Sequence, residues 1–176
     1  MMEQSAKTGS ISVVAAAAIN VVLGWTPSYV RAVNVNNLAF YEYFSGMDAG
    51  TSLDTGNHAD TQISVNAADS ISTYAGRAAG ASLTGTVSVT AASATVTGSS
   101  TNFLGELAVG DTITVNGEVR TVSAIASKTS LTASAVYVAT ASAVNIYEMK
   151  GKGAGFTLGT DICDTASDVV RWVAIR

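Results

Sequence analysis

His58 is the only histidine of the chain, and it stands between Asp54 and Asp60 in the run TSLDTGNHAD (51–60). A histidine beside a carboxylate is how a serine nucleophile is activated in a triad. This run is polar and turn-rich, however, and a loop histidine among aspartates is solvated, so no catalytic role is expected. Asp161, Asp164 and Asp168 (DICDTASD) make a second carboxylate group. A calcium loop needs ligands at alternate positions and a central glycine. This spacing has neither, and a surface turn before the last strand is expected. One histidine and one cysteine, Cys163, cannot assemble the ligand set of a zinc site, and a lone thiol reads as a small buried hydrophobe. GKGAG (151–155) has the glycines of a phosphate loop, but no Gly-Lys-Ser/Thr follows and it leads into a strand. In YEYF (41–44), Tyr41 and Tyr43 alternate with Glu42 and Phe44. Two tyrosines on an open face could stack on sugars, and mixed core and surface use is the plainer expectation. Glycan cleavage would need paired carboxylates on a long repetitive scaffold, which the chain lacks. No catalytic, cofactor-binding or metal-ligating residue is assigned, and no enzyme activity is expected.

The elements around these residues are short and extended. Across 176 residues, 48% are hydrophobic and only 12% charged, about half the usual charged share of roughly 25%. That balance excludes disorder and suits a surface packed against neighbours. The net charge of −4 and scattered lysines and arginines offer no basic stripe for nucleic acid. The apolar run from Val13 to Ile19 stops at Asn20, well short of the ~20 residues of a membrane span. Glu3 opposite Lys7 makes a poor signal-peptide start. Neither membrane insertion nor cleavage is expected, and 11–25 reads as a buried strand pair.

Bursts of four to eight residues rich in Val, Thr and Ile recur between Gly, Asn, Asp and Ser punctuation, which predicts an all-β chain. In 29–35, Tyr29, Arg31, Val33 and Val35 share one face, and Val30, Ala32 and Asn34 the other. Asn36-Asn37 then turns into the aromatic strand 38–44. Residues 85–103, GTVSVTAASATVTGSSTNF, resemble a linker in composition, yet apolar and hydroxyl residues alternate as in a half-buried strand. Downstream, Asn116-Gly117 is a strong hairpin signal. The stretch therefore opens a folded module of five or six strands over 83–147. Gly-rich joints near 76–82 and 149–155 flank it, and residues 1–82 with 148–176 make the surrounding domain.

Two stretches resemble bacteriophage virion proteins. Val96 to Phe103, Leu107 to Asp111, Arg120 to Ile125 and Ser127 to Thr132 are similar to a small β module recurrent in phage tail and baseplate proteins. Gly24 to Val30 with Val33-Asn34, Tyr41 to Met47, Gly155 to Asp161 and Arg171 to Ala174 resemble a family of short head decoration proteins. The resemblance implies an antiparallel β-sandwich, jelly-roll-like, interrupted by an inserted small β-barrel or β-sandwich module that protrudes. It further implies a non-enzymatic head decoration (cement) protein on the outer capsid surface of the virion, assembled in the host bacterial cytoplasm. Its partners would be the major capsid protein and copies of itself, with a homotrimer expected and neither nucleic acid nor membrane bound. A tail fibre or baseplate component binding host glycans is the alternative.

Overall fold

The computed structural model describes residues 5–54, 64–66 and 69–176. Every strand pair is antiparallel, and one helical turn interrupts the strands. The first seven strands are β1 (Ala6–Ser12), β2 (Ile19–Val22), β3 (Tyr29–Asn34), β4 (Ala39–Phe44), β5 (Ser52–Asp54), β6 (Ser64–Asn66) and β7 (Ile71–Tyr74). Next come β8 (Ala81–Ser82), β9 (Thr86–Val89), β10 (Thr95–Ser99) and the helical turn α1 (Phe103–Glu106). After it run β11 (Thr112–Val115), β12 (Glu118–Ser127), β13 (Ser130–Ala133), β14 (Ala141–Val144) and β15 (Ile146–Glu148), then β16 (Gly155–Leu158) and β17 (Val169–Ile175).

The chain divides into two compact units, Met1–Gly76 with Gly153–Arg176, and Arg77–Lys152. The second is wider than the 83–147 read from composition. Tyr147 and Glu148 pair with Ser82 and Ala81, and Arg77 and Lys152 exchange two backbone hydrogen bonds of 2.8 Å. Both unit boundaries, Gly76/Arg77 and Lys152/Gly153, fall within the Gly-rich stretches 76–82 and 149–155, parts of which are paired backbone because small residues allow strands as well as linkers.

In the first unit, a six-stranded sheet (order β1-β17-β3-β4-β5-β6) and a three-stranded sheet (β2-β16-β7) share one core. Val30, Ala32, Tyr41, Tyr43, Val170 and Ala174 face Val21, Ile71, Phe156 and Leu158 across it. Inward and outward residues alternate along β3 and β4 as the pleat requires. Phe156 is fully buried and meets Trp172 edge-on at 5.3 Å. Gly9 in β1 opposes Trp172, and a Cβ there would lie 2.4 Å from the indole. The ring therefore needs a glycine beside it. The expected strand pair in 11–25 is corrected: β1 and β2 lie in different sheets. The alanines of 15–18, poor strand formers, carry the crossing, which Val13 and Ala17 anchor in the core.

The inserted unit has eight strands in one sheet, β14-β9-β10-β13-β12-β11-β15-β8. β12 pairs β11 with its first half and β13 with its second, with register shifts at Val122/Ala124 and Ile125/Ser127. Such bulges bend a strand, and the sheet curls around Phe103, Ile113, Val115, Leu131, Tyr137 and Ile146. Asn116 (φ 49°) and Gly117 (φ 78°) form the β11–β12 turn, with both residues left-handed as a type I′ turn demands. A Cβ at Gly117 would meet nothing within 4 Å, so Gly117→Val tests backbone conformation alone. A loss of about 1–2 kcal/mol is expected in denaturant unfolding followed by circular dichroism.

Candidate functional site

His58 and Asp60 lie outside the described residues. Asp54 ends β5 and is nearly buried. Asp161 and Asp164 are exposed in the turn between β16 and β17, whereas Asp168 is buried and accepts a 2.7 Å hydrogen bond from Asn34 Nδ2. Asn34 Nδ2 also donates to the Ile162 carbonyl at 3.3 Å, so Asp168 helps to pin the turn. Among the described residues, no three His, Cys, Asp or Glu side chains are placed to hold a metal. Lys152 of the GKGAG run pairs with Asp111, an ion pair within the inserted unit. The sugar-stacking reading of Tyr41 and Tyr43 is corrected. Both rings lie in the core, because their position in the pleat is the one shared with Ala39.

Burial pushes the Cys163 thiol up to about 12, with Asp164 and Asp168 adding to the shift. Burial, then Asp54, raises Tyr41 to about 12, and its hydroxyl donates to the Asp161 carbonyl at 3.0 Å. Burial likewise raises Tyr137 to about 12. Each of these groups keeps its proton in the folded state to a higher pH than in the unfolded one. Their stability contribution is therefore complete below the unfolded values (near 9 for the thiol and 10 for the phenols) and is lost as pH rises toward 12. Ellman's reagent at pH 8 is expected to leave Cys163 unmodified in the folded chain and to react with one thiol after unfolding. Prompt reaction of the native protein would contradict the buried placement.

The most charged constellation lies in the inserted unit. Arg77 reaches Glu106 Oε1 at 3.4 Å, the Glu106 carbonyl at 3.0 Å and Glu148 Oε2 at 3.3 Å. Thr84 donates to Glu106 through its N–H and its hydroxyl, and Lys150 N–H donates to Glu148. Glu148 is fully buried and Arg77 nearly so. Elsewhere in this unit, backbone N–H groups of Val138 and then Ala139 lower the Glu118 carboxyl below its ordinary value, with Arg120 assisting. These carboxylates each accept hydrogen bonds from donors of their own unit, an arrangement that fastens strands.

The outward face of the six-stranded sheet carries most of the remaining side chains of interest. Its register aligns Thr8, Val173, Arg31, Glu42, Leu53 and Val65 in one row across all six strands. Arg171, Val33 and Phe40 form a second row, and Ile175, Tyr29 and Phe44 a third. Arg31 pairs with Glu42 at 3.6 Å and lies over Phe40 at 5.0 Å. Tyr29 donates to Glu42 at 2.9 Å and packs on Phe44 at 5.2 Å. Phe44 is 44% and Val65 64% exposed. A shallow groove of about 280 Å³ runs along Arg31, Val33, Arg171, Trp172 and Val173. Antiparallel sheets commonly pack one face on a core and turn polar residues outward on the other, whereas here Tyr29, Val33, Phe40 and Phe44 stand on the outward face. In this unit the three-stranded sheet covers one face. The signal was present in AFYEYF and VVRWVAI, which are apolar at both parities, but reading each burst for alternation alone passes over it.

No family model matches the chain, and neither a curated protein nor a solved structure does. No described helix is long and apolar enough to cross a membrane.

Proposed function

We propose that this chain is a non-enzymatic structural protein of a tailed-phage virion, a head decoration protein on the outer capsid surface. The observation that supports this reading best is the outward face of the six-stranded sheet. It offers aromatic and aliphatic side chains with only Arg31, Glu42 and Arg171 as charges among its described residues. A broad, shallow, weakly charged surface suits adhesion by spread apolar contact rather than enclosure of a small molecule, for which pockets are concave and deeper. Attachment would join this face to the major capsid protein and to neighbouring copies, tying shell subunits together. The sequence resemblance to decoration proteins on both sides of the inserted unit supports the same reading.

The test is co-sedimentation of the purified protein with capsids from which it has been stripped. The wild-type chain is expected to rebind to saturation. The variant Val173→Glu, which places a carboxylate at the centre of the face, is expected to lose rebinding while keeping its circular dichroism. Absence of wild-type rebinding, or full rebinding by the folded variant, would overturn the proposal.

A further inference from the structure

β1 is an edge strand of the six-stranded sheet. Its register with β17 is uninterrupted from Ala6↔Ile175 to Ser12↔Val169. Arg176 N–H donates to the Ser5 carbonyl at the start, and Val13 N–H donates to the Asp168 carbonyl at the end. These two bonds set the phase of the ladder. Odd-numbered residues turn their backbone groups toward β17, and Ala6, Thr8, Ser10 and Ser12 turn theirs away. All four are exposed, and their outward N–H and C=O groups have no partner among the described residues. Proteins blunt long free edges with proline, bulges or charges. β1 has no proline and no bulge, and its single charge is tied back, since Lys7 Nζ donates to the Leu23 carbonyl at 2.6 Å.

We propose that β1 is a self-pairing edge, at which a second copy of this chain adds its own β1 antiparallel and joins the two six-stranded sheets across a two-fold axis at Gly9. The strand is complementary to itself in that register. Thr8 of one copy faces Ser10 of the other, and Ala6 faces Ser12. These are the outward residues, so the contact forms about eight inter-strand hydrogen bonds in alternating narrow pairs. Hydroxyl pairs of the Thr–Ser kind are favourable cross-strand neighbours. On the opposite face of the sheet Lys7 meets Ile11, so the two ammonium groups never oppose each other. Gly9 meets Gly9 where strands approach most closely, and neither carries a Cβ to obstruct the axis. A two-fold, isologous contact is also the commonest closure of a homo-oligomer. It differs from the three-fold expected of the sequence and stands apart from any attachment to a shell.

Sedimentation velocity of the full chain over a range of concentrations tests this. The expected result is a species of twice the 17.8 kDa chain mass. Ser10→Pro removes an outward N–H that the single chain does not use, so it is tolerated on a free edge and blocks pairing. This variant is expected to sediment as one chain with unchanged circular dichroism. As a second measurement, a Thr8→Cys chain and a Ser10→Cys chain are mixed and oxidised. They are expected to give a disulfide-linked heterodimer, because hydrogen-bonded cross-strand pairs bring Cα atoms to about 5.5 Å. A wild-type chain that stays single at every concentration would overturn the proposal, as would a closed species of three. It would fall equally if Ser10→Pro remained paired, or if Thr8→Cys cross-linked with itself in preference to Ser10→Cys. An edge that only accepts a strand from a different protein would appear as the first of these.

Discussion

Replacing Arg77 by methionine is expected to destabilise the inserted unit by about 3–5 kcal/mol, the usual cost of stranding a buried charge. The guanidinium is what compensates the Glu148 carboxylate, which is fully buried, and it also holds Glu106. Arg77 Nε is itself buried without a partner, so the cluster is an incompletely satisfied network. For that reason the double variant Arg77→Met with Glu148→Leu is expected to recover most of the loss, since exchanging a whole buried pair for apolar side chains is often neutral. Both tryptophans, Trp25 and Trp172, belong to the first unit. The loss should therefore appear in far-ultraviolet circular dichroism and leave the midpoint of tryptophan fluorescence in place. A midpoint that moves in both signals would show that the two units unfold together.

The converse is expected of Phe156→Ala. This ring lies at the middle of β16, the central strand of the three-stranded sheet, and fills the space beneath Trp172. Removing it costs the transfer free energy of the side chain and leaves a cavity, together about 3–5 kcal/mol. Here the fluorescence midpoint falls, because the indole loses its edge-on neighbour and its unit loses its centre. The part of the circular dichroism change that belongs to residues 77–152 stays where it was. A drop of less than about 1 kcal/mol would mean that the two sheets close over the site.

How much of this was legible in the sequence depended on how local its cause was. Asn116-Gly117 announced its hairpin because both residues must take positive φ, and the alternation in 29–35 and 41–44 sorted β3 and β4 into two faces without saying which of them is buried. The composition of 85–103 misled only until its register was read. What could not be read was set by partners distant in sequence. Ala81 and Ser82 became a strand through Tyr147 and Glu148, and no property of GAS at 80–82 distinguishes that from a linker. The helical turn at Phe103–Glu106 is too short for periodicity, and it is defined by the Asn102 cap, whose side chain accepts from Gly105 N–H at 3.3 Å. The division of 11–25 between two sheets followed from where β16 and β17 lie, about 135 and about 160 residues further along the chain than the strands they pair. The open sheet face needed the register of six strands before its side chains could be seen to adjoin.

The proposal that the chain coats a phage shell meets its sharpest test in quantitative mass spectrometry of purified virions. Copies in proportion to the major capsid protein are expected, constant from one preparation to the next. A handful of copies per particle, as a tail tip would carry, or none at all, would contradict it.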